Sequence, residues 1–457
     1  MQRPAIEMTV ATTPEPHGRL KRLAGLLAPA MALVVRISAA GLAYLMQIAL
    51  ARVLGAEDYG IFAWVWAFVA IGGFAGAFGF GQTSVRALAR YHEDGAGALA
   101  AGFVRTSLGI VGGGTLALAL AGCGLLLALP ALAPAPAYLA PLLLMCATVP
   151  FFALGDLAEG FARSQGWNLL ALAPPYLMRQ GLILIGLPGL VMLGFAPDAT
   201  LAMAVALVAT AMAALVQLAL VLIRLQREGL VAGPSAYRVR EWRAEALPVF
   251  FGDLAQVLRQ NADVLLLALF VSPAEIGIYF AATRVASLLG LIEFAVGATV
   301  GHRFARAAEA ARGPALAELA NGAARLTFWP TAIGALVLAG AAGPILSLFG
   351  ADYAGAAPLV LWLAAGHAFR AIIGPAEDLI ITRGAGAATF HAQLAGLVVV
   401  ASGVVCLVPL FGLAGAAMAA FASMAATTLV LALACRRHIG FWPCGLCLTF
   451  ASRHGDH

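Results

Sequence analysis

Long apolar runs separated by short polar corners recur along the whole chain. A hydrocarbon core about 30 Å thick is crossed by about 20 apolar residues of helix. Runs of that size fall near residues 26–50, 61–83, 107–129, 138–158, 169–195, 199–223, 246–271, 276–300, 327–349, 357–381, 387–411 and 412–435. Between the last two, the Pro409–Gly412 turn is the only punctuation. A membrane barrel is excluded, because its strands are short and alternate in polarity. The pattern predicts an all-α polytopic membrane protein with twelve transmembrane helices.

One corner is repeated. Ala51–Ala63 reads ARVLGAEDYGIFA, and 217 residues later Ala268–Phe280 reads ALFVSPAEIGIYF. Gly60 then falls on Gly277, Asp58 on Glu275 and Phe62 on Tyr279. A second echo pairs Glu159–Gly166 (EGFARSQG) with Glu377–Gly384 (EDLIITRG). Six helices restore the starting side of the membrane, so the copies share one orientation. The expected architecture is two six-helix lobes around a central cavity, related by an axis along the membrane normal. The segments are 1–22 (cytoplasmic N-terminal segment), 23–223 (first lobe, helices 1–6), 224–245 (cytoplasmic inter-lobe loop), 246–435 (second lobe, helices 7–12) and 436–457 (cytoplasmic tail).

Composition agrees: 62% of the 457 residues are apolar and 11% charged, against roughly a quarter charged in soluble domains. The net charge of +5 does not mark a nucleic-acid binder, because the basic residues gather in alternate loops. With the N-terminus inside, they fall on the cytoplasmic side as short loops of membrane proteins require; of the 27 Lys and Arg, only Arg52 lies in an outside loop. Both termini are then cytoplasmic. The longest loops, Arg224–Glu245 and His302–Leu326, hold no soluble domain, so any chemistry happens within the membrane. Met1–Arg22 is polar and the following apolar run exceeds a signal-peptide core, so no cleavable signal is expected. Cys444 and Cys447 form a lone CxxC near His438 and His454. Structural zinc sites use four ligands at defined spacing, so neither a metal nor a cofactor is expected.

Arg36, Arg179, Arg259, Arg284 and Arg370 lie inside the spans. A central Arg costs roughly 2.5–3.5 kcal/mol on insertion scales, so none is expected to face lipid. Each can form an intramembrane ion pair, the candidates being Asp156, Glu159, Asp253, Asp263, Glu293, Glu377 and Asp378. Asp263 is one helical turn from Arg259 and can pair with it. Arg36 and Arg179 have no acid in their own spans. Guanidinium forks match phosphate oxygens in bidentate fashion, which points to an anionic, phosphate-bearing cargo. That role falls first on Arg36 and Arg259. Helical spacing places Asp253, Gln256, Gln260 and Asp263 on one stripe beside Arg259. It does the same for His367, Arg370, Gly374 and Glu377 in the tenth span, and sets Arg36, Tyr44 and Gln47 near one face of the first. A polar cavity lined by helices one, seven and ten is expected, with Arg284 on a fourth wall.

ARVLGAEDYGIFA, IGIYFAATR (Ile276–Arg284) and FGADYAGAAPLVLWLAAG (Phe349–Gly366) resemble signatures of the polysaccharide-export branch of the multidrug/oligosaccharidyl-lipid/polysaccharide flippase superfamily. The likeness runs over about residues 26–435. It implies a bacterial inner-membrane protein, similar to the O-antigen and lipid II flippases, that moves a polyprenyl-diphosphate-linked glycan across the membrane by alternating access. Its implied partners are that glycan, membrane lipids, and glycosyltransferases or a polymerase of the same pathway. The resemblance also implies that cavity arginines on helices one, seven and eight face the diphosphate; Arg36, Arg259 and Arg284 occupy comparable helices. Many lipid II members carry two further helices, which this pattern lacks. The substrate cavity is expected to include Arg36, Arg179, Arg259, Arg284, Arg370, Gln47, Gln256, Gln260, Asp263 and His367. Asp156, Glu377 and Asp378 are candidates for coupling to H+ or Na+. Two other classes stay open: a cation or drug antiporter, whose cavity would be dominated by acids, and a membrane glycosyltransferase or polymerase, which would need larger aqueous loops.

Overall fold

The computed structural model describes residues 16–231, 233–297, 300, 304 and 314–446, with side chains from residue 38 and, in the last stretch, from 316. Among the described residues there is no strand. Ten helices of the described residues are long and apolar enough to cross a membrane. The first of these, Ser38–Glu93, contains a reversal. Helix α1 (Pro16–Gly76) is interrupted at Gly55, whose φ of 76° and ψ of 177° suit only glycine. Gln47 and Tyr59 flank that residue, and Tyr59 Oη donates to Gln47 Oε1 at 2.9 Å. Along an unbroken helix they would be about 18 Å apart, so the chain folds back at Gly55 and this segment crosses twice. Helix α8 (Val239–Leu267) completes the twelve crossings. Its 29 residues span about 44 Å, but its polar start keeps it out of the purely apolar set.

The first lobe continues through α2 (Phe80–Glu93), α3 (Gly97–Ala128), α4 (Pro136–Ser164), α5 (Asn168–Ala173), α6 (Arg179–Met192) and α7 (Ala199–Arg227). The second comprises α8, α9 (Pro273–Ser287), α10 (Pro314–Ser347), α11 (Ala357–Ala371), α12 (Ala376–Thr382), α13 (Gly386–Phe411) and α14 (Leu413–Ile439).

Three predicted spans are not the continuous helices that hydropathy implies. The second breaks at Phe78 and Gly79, both at positive φ, and α2 turns off as a separate amphipathic helix burying Phe80, Leu88 and Tyr91. The fifth is split by a wide π turn at Pro174–Met178, because two adjacent prolines remove the amides of regular α pairing. The tenth breaks between Ala371 and Ala376, where Gly374 takes φ +55° before Pro375. The predicted stripe through His367, Arg370, Gly374 and Glu377 therefore does not lie on one helix.

The two copies of the repeated corner meet. A Cβ built on Gly60 would lie 1.8 Å from the Pro273 carbonyl oxygen, and one on Gly277 would lie 2.4 Å from that of Ala56. The backbones touch reciprocally, as a pseudo-two-fold contact requires. Around them, Trp64 Nε1 donates to the Leu265 carbonyl at 3.2 Å and Arg52 Nε to the Leu348 carbonyl at 2.6 Å. Asp58 accepts from the Ala199 amide and so holds the start of α7. At the opposite end of the bundle, Trp242 at the start of α8 is fully buried and donates to Tyr91 Oη at 2.7 Å. The beginning of α8 thus packs into the first lobe.

Candidate functional site

Between the lobes lie two adjoining spaces that share Gln47, Trp66, Arg284 and Ser287. The larger, about 510 Å³, is lined mainly by the second lobe. Gln256, Arg259, Gln260 and Asp263 project into it from α8, His367 and Arg370 from α11, and Gln393 from α13. The smaller, about 260 Å³, lies where α1, α6 and α9 approach, with Tyr44, Arg179, Gln180 and Arg284 on its walls.

In the larger space most charges are already committed. Arg370 Nε donates to both oxygens of Glu293, at 3.1 and 3.0 Å, and a terminal nitrogen reaches Glu377 Oε2 at 3.3 Å. The break at Gly374 makes this possible by turning α12 so that Glu377 comes back to Arg370. Gln393 extends the chain: its amide donates to Glu377 Oε1 at 3.2 Å and accepts from Arg259 Nε at 2.5 Å. Arg259 also depends on Gly396, where a Cβ would sit 2.6 Å from Arg259 Cδ. The expected Arg259–Asp263 pair does not form. Asp263 instead accepts from Tyr279 Oη at 2.6 Å and from the Val264 amide at 2.8 Å. One turn of spacing permits an ion pair, but the neighbouring helices offered each side chain another partner.

The smaller space is different. Arg179 lies over the rings of Trp66 and Phe152, at 5.7 and 5.4 Å, an attraction of ring quadrupole and cation. Arg284 lies 4.2 Å from the Phe280 centroid, and its Nε has no hydrogen-bond partner. Tyr44 Oη and Gln180 Oε1 are likewise buried without partners. Among the described residues, no carboxylate lines this recess.

The predicted residues therefore sort by position. Gln47, Gln256, Arg259, Gln260, Asp263, Arg284, His367 and Arg370 line the larger space, and Arg179 the smaller. Glu377 stands behind Arg370 and Gln393. Asp156 lies on α4 against Gly81, and Asp378 on α12 against Gly297, apart from both spaces. The side chain of Arg36 lies outside the described residues, as do Cys447 and His454. Among the described residues no group of His, Cys, Asp and Glu is placed to hold a metal ion. Sequence reasoning passes over Gln180, Gln393 and Trp66. Gln180 and Gln393 were detectable as amides inside apolar runs; Trp66 carries no such signal, since aromatic residues are ordinary in these helices.

The family described as polysaccharide biosynthesis protein matches residues 30–300, more than half of the chain. No curated protein matches. Among solved structures, the lipid II flippase MurJ in an inward closed conformation is 15% identical, with a TM-score of 0.69 over 88% of this chain and 87% of that one. An inward-facing multidrug resistance MATE family transporter of the MOP superfamily is 16% identical, with a TM-score of 0.70 over 89% and 98%. A MOP superfamily transporter from Pyrococcus furiosus, described as having a binding pocket of reversed polarity, gives 15%, 0.64, 91% and 95%. These likenesses establish the two-lobed, twelve-helix fold.

Proposed function

The chain belongs to the polysaccharide biosynthesis protein family, and from that premise we propose that it is a flippase carrying a polyprenyl-diphosphate-linked oligosaccharide across a bacterial inner membrane. The observation that carries this reading is the recess between the lobes, where Arg179 and Arg284 converge and, among the described residues, no carboxylate lines the wall. A guanidinium in such a low-dielectric setting attracts phosphate oxygens more strongly than it would in water. A polar glycan fits the adjoining space, whose neutral donors and acceptors include Gln256, Gln260 and Asn261. The polyprenyl tail stays in lipid while the lobes rock about the bound head.

The corner end, with its acids and single Arg52, faces the periplasm in this reading, and both termini face the cytoplasm. The membrane potential then favours outward movement of an anion, by about 2.3 kcal/mol per charge per 100 mV. Coupling to H+ or Na+, where it occurs, falls to Asp156 or Asp378, since Glu377 is held by Arg370 and Gln393. A cation antiporter is disfavoured, because the carboxylates lining the larger space are occupied: Asp263 by Tyr279 and Glu293 by Arg370.

The test is complementation in a strain deleted for this gene. Deletion should accumulate a polyprenyl-diphosphate glycan on the cytoplasmic side. Arg284→Ala and Arg179→Ala, at matched expression, should each reduce export at least tenfold. Full export from both variants would sink the phosphate role, and resistance to cationic drugs on expression would favour the antiporter.

A further inference from the structure

The smaller recess carries more information than its charge. Among the described residues, buried side-chain polar atoms without partners are few, and three of them line this one space: Tyr44 Oη on α1, Gln180 Oε1 on α6 and Arg284 Nε on α9. Buried polar groups in proteins are nearly always satisfied, and an orphaned one asks for a partner. The three requests differ in kind. Arg284 Nε–H can only donate, and Tyr44 can donate or accept. Gln180 offers a carbonyl oxygen, which can only accept. A diphosphate esterified at both ends carries no P–O–H, so it satisfies the two donors and leaves Gln180 Oε1 facing another acceptor. With the amide oriented as it is, a ligand meets all three by placing an O–H or N–H donor next to an oxygen acceptor, the phosphate oxygen in the flippase reading.

Resting on the flippase reading, we infer that Gln180 is a specificity-determining residue that reads the sugar directly attached to phosphate. The group it recognises is a hydroxyl or acetamido N–H on the carbon beside the anomeric position. The Pro174–Met178 π turn places Gln180 here, by setting Arg179 and Gln180 at the restart of the fifth crossing. Size agrees with the division of labour. At about 260 Å³ the recess lies below the roughly 300–1,000 Å³ usual for sites enclosing drug-sized ligands, so it takes a small polar junction. The adjoining 510 Å³ is left for the remaining sugars. Arg370 there is engaged by Glu293 and Glu377, which makes it a poor competitor for the phosphate.

The experiment measures binding of four probes to the purified full-length protein in nanodiscs: inorganic phosphate, glucose 1-phosphate, N-acetylglucosamine 1-phosphate and 2-deoxyglucose 1-phosphate. Wild type should bind the two sugar phosphates that carry a donor at carbon 2 about five- to tenfold more tightly than the 2-deoxy compound, the worth of one neutral hydrogen bond. Gln180→Leu should bring that ratio to about one, with an unchanged or higher melting temperature because an unpartnered polar group has been removed. Arg284→Gln should weaken all three sugar phosphates together. A ratio that survives Gln180→Leu, or a lower melting temperature in that variant, overturns the specificity role. Failure of wild type to bind any of the four probes instead overturns the flippase reading itself.

Discussion

Arg370 meets Glu293 at 3.0 Å and Glu377 at 3.3 Å, with about a fifth of its side chain exposed. Removing one partner of a buried pair strands a charge, and typical losses are about 3–5 kcal/mol. Here the loss would strand two carboxylates. Arg370→Ala should therefore lower thermal stability in detergent by at least that order, whereas Arg259→Ala, which leaves only Gln393 without a donor, should cost less. An unchanged melting temperature in Arg370→Ala would remove the clamp from this account. That these arginines matter was legible in the sequence, because charge inside an apolar run is expensive. Their partners were not: Glu293 lies 77 residues from Arg370 and Gln393 lies 134 from Arg259, and only packed helices bring them together. For the same reason Asp263, one turn from Arg259, ended on Tyr279 instead.

Helices in this protein are shaped by where they are interrupted. Gly55 reverses α1, Pro174 and Pro175 open the π turn before Arg179, and Gly374 swings Glu377 back onto Arg370. The corner at Gly55 is marked by its polar residues, but hydropathy runs straight through Pro174, Pro175 and Gly374, since apolar composition does not report backbone direction. The glycines at the crossing of α1 and α9 do a different task, allowing backbone-to-backbone contact. Gly60→Ala would drive a methyl into the Pro273 carbonyl, an overpacking that costs about 1–3 kcal/mol or more. It should lower stability and loosen the corner end, while Gly41→Ala, with open space around its Cα, should be neutral or slightly stabilising. Equal melting temperatures for the two variants would show that the corner contact does not hold the lobes together.

The whole molecule is a two-fold repetition whose copies close on each other at one end and on the buried start of α8 at the other. Its orientation can be read with cysteines placed in exposed turns, in a background lacking the native ones. Ser272→Cys should react with a membrane-impermeant maleimide on intact cells, and Glu228→Cys only after permeabilisation; the reverse pattern would invert the topology. Fold class, number of crossings, internal repeat and the presence of costly arginines were set by the sequence itself, because hydrophobic length and charge placement act locally along the chain. Which arginines stay available was decided by tertiary structure. Arg370 and Arg259 are engaged by side chains distant in sequence, while Arg284, Tyr44 and Gln180 converge from three helices on a recess that leaves a polar atom of each unmet. Satisfaction of a buried polar group depends on what lies within about 3 Å of it, and that is a property of packing rather than of order along the chain.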